Sequence, residues 1–201
     1  MADRTQRCPF GAEISEVRFT DSDQGVYMAP MPLPSGTQGL NEAGPVAPDA
    51  LRSVCGNFVT GVAVITSGRG EEAVGTTVNS FTSVSLEPPL VLFCLHAKSR
   101  LRPVVQKHRA YVVNILSSQQ EMLAWTFACK DTAGLDGVPH RSSVTGVPVL
   151  DGTLASLSCR LVNSFESGDH TVFVGEVVEA DQSSSRGNAL VFFRGKMGSV
   201  T

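Results

Sequence analysis

The sequence predicts a mainly β, antiparallel domain with a few short helices. Three observations carry that expectation. Six or more short runs rich in Val, Ile, Thr and Phe stand between turns containing Gly, Pro, Asn or Asp. Helical spacing is confined to short segments near 49–57, 100–108 and 119–130. The glycine-bearing turns at Gly68–Glu72 and Gly168–Asp169 join apolar runs at hairpin distance. Many short strands with few helices suit an antiparallel barrel.

Composition bounds the rest. The chain has 201 residues, 42% hydrophobic and 17% charged, enough for one domain with its own core. A formal charge of −3 leaves no basic footprint, so nucleic acid is not an expected partner. No apolar run approaches the ~18 residues of a membrane span. The first residues, MADRTQRCPFGAEISE, lack an apolar signal core, so secretion is not indicated. The five cysteines, at 8, 55, 94, 129 and 159, are widely spaced and form no Cys-x-x-Cys pair. They read as reduced, mostly buried thiols of a cytoplasmic protein, with no metal-ligand spacing.

Residues 1–48 differ from the remainder. They hold six of the eleven prolines and carry three basic against six acidic residues. MAPMPLPSG suits neither helix nor central strand. This arm is expected to be a flexible extension ahead of a domain at 49–201, with Phe19, Val26, Tyr27 and Met28 available to dock.

In the domain, Leu51, Val54, Cys55 and Phe58 follow a Pro-Asp start at helical spacing, so a short amphipathic helix opens it. Gly61–Ser67 reads as a strand that turns through Gly68–Glu72 into a second strand, Ala73–Phe81. Thr82–Pro89 reads as a turn closed by Pro88-Pro89, and Leu90–Leu95 as a buried strand. Ser99 is placed to cap a helix from about Arg100 to His108, with Pro103 tolerated in its first turn. Ala110–Leu116 is a strand, and Ser117 or Ser118 caps the helix QQEMLAWTFACK. Trp125 is assigned to the core. Lys130–Pro148 is expected to be a loop, and any lid there would rest on small residues, His140 and Arg141. Leu154–Phe165 and Thr171–Ala180 form a hairpin about Gly168-Asp169-His170, with Thr171, Phe173 and Gly175 on one face. Asp181–Gly187 is a Ser-rich turn, and Ala189–Phe193 is the last strand.

The most unusual stretch is Gly75–Leu95. Thr76, Thr77, Asn79, Ser80, Thr82, Ser83 and Ser85 crowd neutral hydroxyl and amide groups around one strand end. Two readings are open. The hydroxyls satisfy their own turn, or they meet a planar, heteroatom-rich ring such as a flavin. Composition alone favours the first.

The run Thr77–Leu90, T-x-N-S-F-T-S-V-S-L-x-P-P-L, closely resembles the signature of the split-barrel flavin reductases, the reductase partners of two-component flavin monooxygenases. GDHTVFVGEV at 168–177 is a second match, and the pattern V-N-x-L followed by Q-x-x-L-x-x-x-F-A is a third. The resemblance covers about Leu51–Met197. It implies a Greek-key antiparallel split barrel, the FMN-binding split barrel, paired as a homodimer with flavin near the interface. It implies reduction of free FMN or FAD by NADH or NADPH, with a flavin-dependent monooxygenase receiving the product. Carried over by position, the expected flavin contacts are Thr60, Thr76, Thr77, Val78, Asn79, Ser80, Ser83, Val84, Ser85, Phe127, Ala128 and Arg194. Ser99 and Arg100 are expected at the phosphate, where a helix N-terminus offers free N–H groups. His170 is the expected catalytic residue on the nicotinamide side, oriented by Asp169. Three departures stand out: Val59 replaces a usual proline, and Phe192 and Met197 replace two usual tyrosines. The rival readings are a pyridoxamine-phosphate-oxidase-like flavoprotein and a flavin-binding module without turnover.

Overall fold

A computed structural model describes residues 44–128, 134–184 and 187–200. The expected flexibility and docking of the arm therefore concern residues that lie almost wholly outside the described ones. The division of the chain falls after Pro45.

Helix α1, Pro48–Cys55, opens the domain. Strand β1, Thr60–Gly61, is followed after Val62 by β2, Ala63–Ser67, which turns into β3, Val74–Val78. Then come β4, Thr82–Leu86, and β5, Pro89–His96. Helix α2, Leu101–His108, leads to β6, Ala110–Ile115, and helix α3, Glu121–Ala128. A small hairpin, β7 at His140–Ser142 and β8 at Pro148–Leu150, precedes the long hairpin of β9, Ala155–Ser167, and β10, His170–Gln182. The chain closes with β11, Leu190–Phe193, and β12, Lys196–Ser199.

Seven strands form one antiparallel sheet in the order β3-β2-β6-β9-β10-β5-β4. The path from β5 past β10 and β9 to β6 is the long return of a Greek key. β3 and β4 are opposite edges of this sheet, about 29 Å apart if it were flat. Yet only residues 79–81 join them, and four Cα steps reach no more than about 14 Å. The sheet must therefore roll until its edges meet. Ser80 fastens the seam: its hydroxyl accepts the Cys94 N–H at 3.0 Å and donates to the Cys94 carbonyl at 3.1 Å. The β4–β5 ladder ends at Thr82 opposite Leu92, so the Ser80 side chain continues the pairing where the strand stops.

The barrel interior holds Ile65, Phe93, Tyr111, Cys159 and Phe173, with Leu101 and Val105 of α2 closing one end. Phe93 stacks on Phe173 at 5.2 Å and meets Tyr111 edge-on at 4.8 Å. Gly175 is required here: a Cβ at that position would sit 2.2 Å from the Tyr111 hydroxyl. Outside the barrel, α3 packs through Ala124 and Phe127 against Val62, Val64 and Leu190. Gly75 admits the Phe127 ring, which a Cβ would meet at 2.9 Å. Val62 is where the chain steps between sheets. Its N–H donates to Leu190 in the three-stranded β1-β11-β12 sheet, and its carbonyl accepts from Leu116.

Several elements differ from expectation. Thr82–Leu86 is a strand, because the apolar β5 offers a backbone edge that hydroxyl-bearing residues can pair with as well as any others. The segment read as an unstructured loop, Lys130–Pro148, holds β7 and runs into the first residue of its partner β8. The buried Asn114 amide holds that hairpin: its oxygen accepts the Leu150 N–H at 2.8 Å and its nitrogen donates to the Val64 carbonyl at 3.0 Å. His140 and Arg141 lie in β7, with Arg141 paired to Asp181. β10 runs on to Gln182 and β12 follows β11, because the Arg194-Gly195 turn takes positive φ at both residues.

Candidate functional site

Where the seam closes, the end of β3 stands off from the end of β5 and leaves a cleft of about 350 Å³. Its walls are Thr76–Ser80, Cys94–His96, Ser99 and His170. A second cleft of about 250 Å³ shares Thr77, Val78 and Asn79 and is otherwise walled by Val62, Trp125, Ala128, Phe192 and Met197.

The hydroxyls do not all face a ligand. Thr77 donates to the Ala124 carbonyl at 2.6 Å, and Thr76 donates to Phe127 at 3.4 Å in the last turn of α3. Those bonds satisfy helix-end carbonyls. Ser80 is committed to Cys94. Among the described residues, the Asn79 amide and the Ser99 hydroxyl are the uncommitted neutral groups of the first cleft. Both readings of the hydroxyl-rich stretch therefore hold in part. Most of its hydroxyls satisfy the protein, and the cleft they shape offers a free amide, a free hydroxyl and apolar walls. That set fits an uncharged planar ring carrying both donors and acceptors.

The rim is electrostatically distinct. His170 Nδ1 lies 2.7 Å from Asp169 Oδ1. His96 stands directly opposite His170 in the β5–β10 register, and its Nε2 approaches Asp169 Oδ2 at 3.8 Å. The two rings meet edge to face, centroids 5.4 Å apart. The hydrogen bond from His170 holds the Asp169 carboxyl below the usual carboxylate range. Burial pushes the thiol of Cys94, which lines the cleft, above its ordinary value and so disfavours the thiolate.

The expected contacts separate into groups. Thr76, Thr77, Val78, Asn79, Ser80, Ser99 and His170 converge on the first cleft, and Ala128 reaches the second. Ser83, Val84 and Ser85 do not line either cleft; they lie on the edge strand β4, where Ser85 accepts the Glu87 N–H. Phe127 turns its ring into the core. Thr60 faces Phe192 in β1, with its hydroxyl buried and unpartnered. Arg194 is held by Asn57, through Nε at 2.9 Å and Nη2 at 2.6 Å, away from both clefts. Ser99 makes no capping bond to α2, whose N-cap is Arg100 in helical conformation. Arg100 is exposed and lines neither cleft, and Arg102 pairs with Glu166 at 2.8 Å. Trp125 corrects the core assignment: it is 43% exposed and walls the second cleft. His96 escaped the sequence reading, because only strand register brings it opposite His170.

The profile described as "Flavin reductase like domain" matches residues 55–201. The chain belongs to the flavin reductase family. It is 38% identical over 149 residues to "FMN reductase (NADH) SmoA" of Agrobacterium fabrum, covering 74% of this chain and 84% of that protein. It is 39% identical over 153 residues to the reductase component of 4-nitrophenol 4-monooxygenase/4-nitrocatechol 2-monooxygenase of Rhodococcus opacus, covering 74% and 78%. Among solved structures, the NADH:FAD oxidoreductase SgcE6 of Streptomyces globisporus, in complex with NAD and FAD fragments, superposes with a TM-score of 0.72 at 36% identity, covering 79% of this chain and 98% of that one. The split-barrel flavin reductase fold is thereby established for this chain.

Proposed function

We propose that the β3–β5 cleft is the flavin site and that the chain is an NAD(P)H:flavin oxidoreductase supplying reduced FMN or FAD to a separate flavin-dependent monooxygenase. One observation carries the placement. At the meeting of the sheet edges, a neutral cleft with an uncommitted amide and hydroxyl opens beside a histidine–aspartate pair.

When both ligands are bound, the chemistry is theirs: a hydride passes from nicotinamide C4 to flavin N5. The chain binds and orients. Asn79 reads the polar edge of the ring through its two N–H donors and its carbonyl. Val78 and Leu95 supply apolar walls that exclude water. Ser99 offers a hydroxyl to the ribityl phosphate, with Arg100 close by in sequence. His170 borders the open side, where the nicotinamide enters, and Asp169 orients its imidazole. The loss of the two family tyrosines leaves Phe192 and Met197 lining an apolar second cleft.

A homodimer belongs to this reading. What supports it is apolar surface that no described residue covers: Leu51, Val54 and Phe58 on and after α1, and Val162 and Phe165 on β9. No helix among the described residues is long and apolar enough to cross a membrane. Free thiols at Cys55, Cys94 and Cys159 suit a cytoplasmic setting.

The test is direct. Protein, NADH and FMN mixed in air should consume NADH catalytically, followed at the nicotinamide absorbance band. Stoichiometric or no consumption would contradict the reading. For the Ser99 contact, Ser99→Ala should bring the KM for FMN close to that for riboflavin. An unchanged preference for FMN would remove Ser99 from the phosphate.

A further inference from the structure

The hydrogen bonds at the cleft rim fix where each imidazole proton sits. Asp169 is ionised, so its oxygens only accept. The 2.7 Å contact is therefore His170 Nδ1–H donating to Oδ1. In the neutral form of the ring that one N–H is spent on Asp169, which leaves a lone pair on His170 Nε2. His96 is fixed in the opposite sense. Its Nδ1 accepts the Lys98 backbone N–H at 3.1 Å, so its proton sits on Nε2. That N–H faces Asp169 Oδ2 at 3.8 Å. The carboxylate thus holds His170 by a hydrogen bond on one oxygen, while His96 faces the other across 3.8 Å, an electrostatic contact rather than a hydrogen bond. The turn that carries it is pinned to the His96 strand by Ala97 N–H donating to the Asp169 carbonyl at 2.9 Å. Of the nearby charges, Arg102 is taken by Glu166 on β9, while Lys98 and Arg100 are exposed on the loop after β5.

We propose that His96 is a positioning residue which, acting through Asp169, holds His170 in the Nδ1–H tautomer, so that His170 Nε2 accepts a hydrogen bond from an amide N–H of the bound ligand. That N–H comes from the nicotinamide carboxamide or the flavin imide, both planar amides. A neutral His170 could donate from Nε2 only by giving up its Nδ1–H bond to the Asp169 carboxylate. The ligand half rests on the cleft being the flavin and nicotinamide site. The tautomer half does not.

The test has one arm for each half, on the full chain. Long-range proton–nitrogen correlation spectra of the ligand-free, nitrogen-15-labelled protein near pH 7.5 should show His170 protonated at Nδ1 and His96 at Nε2. His96→Ala should move His170 toward a mixture of tautomers. His96→Gln, whose side-chain N–H can again face Asp169, should restore the Nδ1–H form. A wild-type His170 protonated at Nε2, or an Nδ1–H signal unmoved in His96→Ala, overturns the positioning role whether or not the protein turns over flavin. In the kinetic arm, His96→Ala should raise one KM by the inverse of the Nδ1–H fraction that remains, about twofold for an even mixture, with His96→Gln recovering it. A rise for NADH identifies the carboxamide as donor, and a rise for flavin identifies the imide. Both KM values unchanged while the tautomer shifts would overturn the acceptor role of Nε2.

Discussion

Ser80→Ala tests the seam that shapes the cleft. The hydroxyl makes two bonds to the Cys94 backbone, 3.0 Å as acceptor and 3.1 Å as donor, beyond the last β4–β5 pair. Each bond is worth about 1 kcal/mol net. That net figure already counts exchange with water, so the two bonds together are worth about 2 kcal/mol. For a domain of this size each kcal/mol moves Tm by roughly 2–4 °C. The variant should therefore melt about 4–8 °C lower, with an unchanged denaturant slope. Because β3 and β5 wall the cleft, its flavin Kd should also rise. Calorimetry and flavin-fluorescence titration on the same preparation read both quantities. A Tm within about 1 °C of wild type would show that Ser80 does not hold the edges together, and the reasoning from strand spacing to cleft would fail with it.

Other perturbations bear on the frame and the surface. Gly175→Ala places a Cβ 2.2 Å from the Tyr111 hydroxyl and should cost about 3 kcal/mol in urea unfolding, with Tyr111→Phe in the same chain giving part of it back. Tyr111→Phe alone should be neutral or stabilising, since its buried hydroxyl has no firm partner and burial pushes the neighbouring Cys159 thiol up to about 12; a loss above about 1 kcal/mol would reveal a bond worth keeping. Glu72 is held below its ordinary value by hydrogen bonds from Lys107, then His108. A depressed carboxyl stabilises the fold above its unfolded pKa, and the effect is lost as pH falls through the folded one. Wild type should therefore melt above Glu72→Gln at pH 7, with the two curves merging in acid; a gap independent of pH would contradict the pairing.

Local signals in the sequence were enough for the hairpins and caps. Gly68–Glu72 and Gly168-Asp169 turn as their residues require, and Ser117 with Gln120 makes the expected capping box. Thr171, Phe173 and Gly175 share the buried face that period-two alternation assigns them. What stayed hidden depends on partners distant in the chain. β4 looks like a turn because its residues are small, hydroxylated and followed by prolines, and only the edge of β5 makes it a strand. Thr76 and Thr77 look free until α3 arrives to use their hydroxyls. Trp125 looks like core because tryptophan is large and apolar, yet its helix lies outside the barrel, and its indole N–H turns to Glu121. Asp169 and His170 adjoin in the chain, but His96 joins them only through the β5–β10 register.

Everything functional here depends on which cavity the isoalloxazine occupies. A crystal structure of the protein with oxidised flavin answers this at once. The ring should rest in the cleft walled by Thr76–Ser80 and Cys94–His96, with Asn79 on its polar edge and the His170 side open. Electron density for the ring against Trp125 in the neighbouring apolar cleft, or anywhere else on the molecule, would contradict the account.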